Sequence, residues 1–145
     1  MRRPVTLTLS VLAAIGLVAI AVIHLRIAKN YVDLGSKPFS LGDQFYAQAA
    51  GGIALAVGLL VALVRPLGRI EPLLWLSVVG FGVVSLAFLV FSRYHPIPVP
   101  GLKGGFQESW ASSGAKPAAW AESLTIALGL GGLVELRRRG ALRTG

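Results

Sequence analysis

The chain has 145 residues, 54% of them hydrophobic, with a net charge of +8 and no cysteine. A mean hydropathy of +0.72 is too high for one soluble domain, and the lack of cysteine excludes disulfides, thiolate chemistry and iron–sulfur or zinc–thiolate sites. The basic residues punctuate the ends of apolar runs instead of clustering on a folded face, so the pI near 10.9 is a sign of membrane topology and not of nucleic-acid binding.

About 20 apolar residues cross the hydrocarbon layer as a helix. Four runs meet that length, at about 5–26, 44–64, 73–92 and 118–136. They predict an all-α fold: a four-helix transmembrane bundle, one integral membrane domain over 1–145, with a long ordered outer loop between helices 3 and 4. If the chain weaves four times, one side carries eight Lys and Arg and the other six. The positive-inside rule then puts both termini in the cytoplasm and the protein in the plasma membrane.

The first run is mainly Val, Leu, Ile and Ala with a single Gly16. Arg2 and Arg3 before it and Ala19-Ile20-Ala21 within it imitate a signal peptide, but it is read here as a span. It ends in Ala21-Val-Ile-His-Leu-Arg, and His24, Ile27 and Tyr31 share one face if the helix continues two turns past the membrane. Gly35, Pro38 and Gly42 then turn the chain back.

The second run opens at Asp43, a candidate helix cap, with Gln44 and Gln48 one turn apart on one face to join helices. Gly52/Ala56 and Ala54/Gly58 have the small-xxx-small spacing that allows close helix approach. The short turn Arg65 to Arg69 makes spans two and three antiparallel neighbours. The third run carries Trp75, Gly80 and Gly82 and ends in the interfacial belt Phe91-Ser-Arg-Tyr-His95.

The loop from Arg93 to Pro117 is too long to be a mere connector. Pro96, Pro98 and Pro100 predict an extended segment, and Phe106 and Trp110, four apart, predict a short helix on the interface. These two aromatics are expected to hold the loop as a lid over the outer mouth of the bundle. Pro117 suits the first position of the fourth helix, with Glu122 one turn in.

His24, Tyr31, Gln48, Arg93 and Glu122 form the expected outer polar cluster, with Glu122 and Arg93 as charged partners and no comparable set in the cytoplasmic half. Each has a plainer reading. Glu122 in a first helical turn complements the macrodipole, His24 suits an interface, Arg93 suits a snorkelling anchor and Gln48 suits helix packing.

His24-Leu25 closing the first span, Ser92-Arg93, Pro100-Gly101, Phe106 to Trp110, Gly114 and Glu122 resemble the pattern of small four-helix actinobacterial membrane proteins, more distantly DoxX-like. The resemblance implies the fold and no established reaction.

Three functions follow, none enzymatic. The first is a noncatalytic membrane subunit or scaffold packed against a larger membrane partner or a second copy. The second is a module holding a small amphipathic ligand, a quinone or lipid, in an outer-leaflet pocket. Proton or ion transport is the weakest, since it needs a polar path through both leaflets. Two histidines, His24 and His95, could ligate haem, but His95 precedes Pro96 in a loop. No cofactor or metal is expected; the surrounding partners are membrane lipids, and nucleic acid is not among them. No phosphate-binding or hydrolase motif occurs.

Overall fold

Lipid offers the backbone no hydrogen-bonding partner, so each apolar run closes its amides internally as a helix. In the computed structural model, which describes residues 4–65, 67–112 and 114–141, the runs form α1 (Pro4–Ala28), α2 (Leu41–Val64), α3 (Glu71–Tyr94) and α4 (Ala115–Ala141). All four are long and apolar enough to cross a membrane. Even 24 residues, the length of α2, rise about 36 Å against ~30 Å of hydrocarbon. The chain is built as a multi-pass membrane protein, an all-α bundle whose helices extend past the apolar runs. Residues such as Val5, Ile15, Val57 and Val84 stay exposed on the faces that lipid covers.

The cap of α2 is Ser40 and not Asp43. Ser40 Oγ accepts from the Asp43 amide at 3.1 Å, and Asp43 Oδ2 accepts from the Ser40 amide at 3.0 Å, a reciprocal capping box with Asp43 at its third position. Pro117 is likewise the third residue of α4, which starts at Ala115. It is tolerated there because amides of the first turn have no intrahelical partner. The first helix stops at Ala28, short of Tyr31, where Asn30 and Tyr31 donate to Ile27 and Ala28 in tightened turns.

Glycines set how closely the helices approach. Gly42 lies on Ala28 and Val32, and Gly52 lies on Leu17 and Ala21, so α1 and α2 are antiparallel and tightly joined. Gly16 abuts Thr125, joining α1 to α4, while Gly82 abuts Glu122 and Ile126, and Gly132 abuts Trp75, joining α3 to α4. The approach of α2 to α3 is looser and depends on side chains, Phe81 over Gly51 and Leu74 over Gly58. Ala13, Ala14, Leu17, Ala56, Leu59, Trp75 and Val78 fill the middle of the bundle as a dry plug.

The segment after α3 is a β-hairpin, β1 (Ile97–Val99) and β2 (Leu102–Phe106), so the short helix expected around Phe106 and Trp110 does not form. Pro100-Gly101 makes the turn, with Gly101 at φ 77 as the second central residue of a type II turn requires. Gly104 and Gly105, at φ 84 and 75, hold conformations that a helix excludes. Pro98 cannot donate to a ladder and sits exposed between the paired Ile97 and Val99. Ser36, in the α1–α2 loop, donates its amide to Pro100 O at 2.7 Å, tying that loop to the hairpin turn.

The opposite end of the bundle is more polar than expected. Thr6, Ser10, Glu71 and Glu135 are all buried there, and Arg139 bonds Glu135 at 3.3 Å. Glu71 opens α3 and Glu135 lies within α4, and both are buried.

Candidate functional site

At the hairpin end, a connected set of side chains clamps the hairpin to the bundle. Tyr31 donates to Glu108 Oε1 at 2.6 Å, and Arg93 Nη1 donates to Glu108 Oε2 at 2.9 Å. The Arg93 guanidinium lies 5.7 Å from the centre of the Trp110 ring, close enough for a cation–π contact. Glu108 also donates its amide to Ser92 O, closing the loop onto the last turn of α3. Beneath it, Phe45 packs against both His24 and Tyr31, and Phe106 meets the Tyr31 ring edge-on at 5.5 Å. Phe106 therefore holds the hairpin by burial and Trp110 by its contact with Arg93.

Arg93 is paired with Glu108, correcting the expected Arg93–Glu122 bond. The physical reason lies in the hairpin: its β2 strand brings Glu108 back over α3, where Arg93 is reached without burying a second charge. The partner of Glu108 follows only from the chain reversal at Pro100-Gly101.

Burial pushes the Tyr31 hydroxyl up to about 12, reinforced by its hydrogen bond to Glu108 and that carboxylate's charge and opposed by Arg93. The unfolded phenol ionises near 10 and the folded one near 12. Tyr31 thus contributes stability that is fully present below pH 10 and is lost as pH rises through 12. Hairpin release followed by Trp110 fluorescence should rise across that window, and Tyr31→Phe should remove this component. An unchanged alkaline profile in Tyr31→Phe would contradict the assignment.

Below the clamp, α2, α3 and α4 place polar groups at a similar depth. Gln48 Nε2 donates to Ser85 Oγ at 3.0 Å across the α2–α3 seam. Ser85 lies one turn beyond Gly82, which abuts Glu122, and Gln48 lies one turn from Gly52, which rests on Leu17 and Ala21. His24 Nδ1 lies 2.8 Å from Ile20 O, bonding its own helix. Thr125 follows Glu122 on the same face of α4 with Oγ1 against Gly16. Glu122 is 0% exposed and, among the described residues, neither carboxyl oxygen has a hydrogen-bond partner; Thr125 Oγ1 and Arg93 Nε also lack one there.

The structure brings Gln48, Glu122 and Arg93 toward one region, with His24 and Tyr31 flanking Phe45 above it. Gln44 does not reach across helices; its amide turns back to Phe39 O at 3.4 Å. His95 is exposed on the surface against Phe91, far in role from His24, which is buried and bonded within α1. Ser85 and Thr125 were missed. Their signal was available: each is a hydroxyl within an apolar run, and Thr125 stands three residues after Glu122. A shallow apolar depression made by Trp120, Ala121, Ser123 and Leu124 faces away from this layer on α4.

The hairpin's order is testable. Phe106→Ser with Trp110→Ser should leave the four helices inserted and expose the backbone between Lys103 and Lys116 to proteinase K, cutting that wild type is expected to resist. Rapid cutting of wild type would show that the hairpin is not held.

No family model, curated protein or solved structure matches the chain.

Proposed function

We propose that this DoxX-like bundle is a noncatalytic binding module that holds a small amphipathic ligand, a quinone or a lipid, by its head group among Gln48, Ser85, Arg93 and Glu122. The observation that carries the reading is the Glu122 carboxyl, wholly enclosed with both oxygens unpartnered. Buried polar groups are nearly always hydrogen-bonded, and an unsatisfied one costs about 1–3 kcal/mol, so a missing partner at this site favours a bound molecule. The apolar plug beneath the layer speaks against transport, because it separates this polar layer from Thr6, Ser10, Glu71 and Glu135 at the other end. The excess of Lys and Arg on the termini side supports an orientation with the hairpin outward at the plasma membrane and both termini cytoplasmic.

A second reading, a subunit packed against a larger membrane partner, draws on Trp120, 78% exposed on α4 beside the apolar depression. Gentle detergent extraction followed by native mass spectrometry separates the two. A small molecule retained by wild type and lost in Glu122→Leu supports the binding module. A stoichiometric polypeptide with no small molecule supports the subunit and rejects the module.

A further inference from the structure

We infer that Glu122 is an uncharged, lipid-accessible carboxylic acid, reached sideways from the membrane by transient parting of α2 and α3 at the Gln48–Ser85 hydrogen bond. The inference takes its site from the binding reading and adds the route and the chemical class: a membrane-dissolved molecule whose head group is an uncharged hydrogen-bond acceptor.

Charge and burial lead to the neutral acid. Glu122 is 0% exposed and its oxygens have no donor. An isolated carboxylate in such surroundings is far costlier than the acid. Arg93 does not offset it, because its guanidinium is already bonded to Glu108 at 2.9 Å. An ionised Glu122 would leave two carboxylates for one arginine, whereas a neutral one leaves the set balanced. The other ionisable group facing this end of the core from α1, His24, spends Nδ1 on Ile20 O. Tyr31, in the α1–α2 loop, spends its hydroxyl on Glu108. The neutral acid carries an O–H that no described group accepts, and a ligand carbonyl or similar oxygen would accept it.

Closure on three sides leads to the route. Above, the Tyr31–Glu108–Arg93–Trp110 clamp seals the hairpin over the bundle. Below lies the plug around Leu17, Leu59 and Trp75. Laterally, the glycine contacts hold α1 to α2, α1 to α4 and α3 to α4, while α2 and α3 meet loosely through side chains. One hydrogen bond, Gln48 to Ser85, crosses that seam at the depth of Glu122. A molecule dissolved in lipid meets this seam directly; a polar solute in water does not.

The hydrophobic reagent dicyclohexylcarbodiimide tests both halves. A protonated carboxyl gives its proton to a carbodiimide nitrogen as its oxygen adds to the central carbon. Migration of the acyl group from oxygen to nitrogen then leaves a stable N-acylurea, with nothing expelled, so the protein gains the mass of one reagent. In phosphatidylcholine vesicles the full chain should gain one adduct, mapped to Glu122 and absent in Glu122→Gln. A water-soluble carbodiimide should leave Glu122 unmodified. The chain has no cysteine, so Gln48→Cys with Ser85→Cys supplies a unique thiol pair. Joining that pair with a short bismaleimide should slow the labelling at least about ten-fold relative to the same variant unjoined, since access requires local opening.

An unlabelled Glu122, or equal labelling by the water-soluble reagent, overturns the neutral, lipid-reached acid. Undiminished labelling after joining the seam overturns the route. The binding reading fails separately: it falls if no small molecule is retained, even where Glu122 reacts.

Discussion

Gly132→Ala is expected to destabilise the bundle by about 3 kcal/mol, the upper range for forcing one methyl into a packed core. A Cβ at that position would fall within the indole of Trp75, which is 1% exposed and itself part of the central plug. The ring cannot swing into lipid without opening the cavity it fills, so α3 and α4 must separate. Gly80 is the natural control, since nothing lies within 4 Å of a Cβ there, and alanine is the better helix former by about 1 kcal/mol. Thermal unfolding in detergent should therefore show a large drop for Gly132→Ala and none for Gly80→Ala. Trp75→Leu should partly rescue the first, because it removes the atoms that the methyl meets. Equal stability of the two glycine variants would contradict the close α3–α4 contact.

Glu108→Ala is expected to cost about 2 kcal/mol, the range for charge-assisted hydrogen bonds of a partly buried pair. The Arg93 side chain is 6% exposed and would be left charged without its carboxylate, while Tyr31 would lose its acceptor. Glu122→Gln should cost much less, because no hydrogen bond in the structure depends on Glu122. Sequence reasoning alone gives the reverse order, since it pairs Arg93 with Glu122. Chemical denaturation of the two variants decides between them. A Glu122→Gln loss equal to or greater than that of Glu108→Ala would restore the sequence-based pairing.

The helices were legible because membrane insertion depends on local composition: a run of apolar residues must satisfy its own backbone wherever it lies. Their ends were less so. Ser40 and Asp43 form a capping box whose spacing is readable, yet Ser40 and Asp43 are both residue types that cap helices, and only the bonds tell them apart. The hairpin has local signals, since Pro100-Gly101 is a turn pair and Gly104-Gly105 disfavours a helix, but the alternating prolines predict extension without showing which segment pairs with it. The site was legible as a set of residue types and not as a set of bonds. Gln48 and Glu122 stand out as polar groups in apolar runs, yet the partner of Arg93 lies 15 residues away across a chain reversal. Nothing in the order of residues shows that Glu122 has no partner at all. The buried Thr6, Ser10, Glu71 and Glu135 at the other end escaped for a similar reason, because burial there is created by neighbouring helices.

The Glu122 layer as a binding site is tested most directly by carbon NMR of the side-chain carbonyls of glutamate and glutamine in selectively labelled protein. Glu122→Gln assigns the resonance. Spectra are compared for protein extracted with its native lipids and for the same protein stripped of them in detergent. The account predicts that the Glu122 carboxyl shifts on stripping, together with the Gln48 side-chain amide, and returns when the lipid extract is restored, while Glu108 stays fixed in its bonds to Arg93 and Tyr31. Identical Glu122 and Gln48 resonances in the two preparations would contradict it, leaving a buried carboxyl that holds nothing.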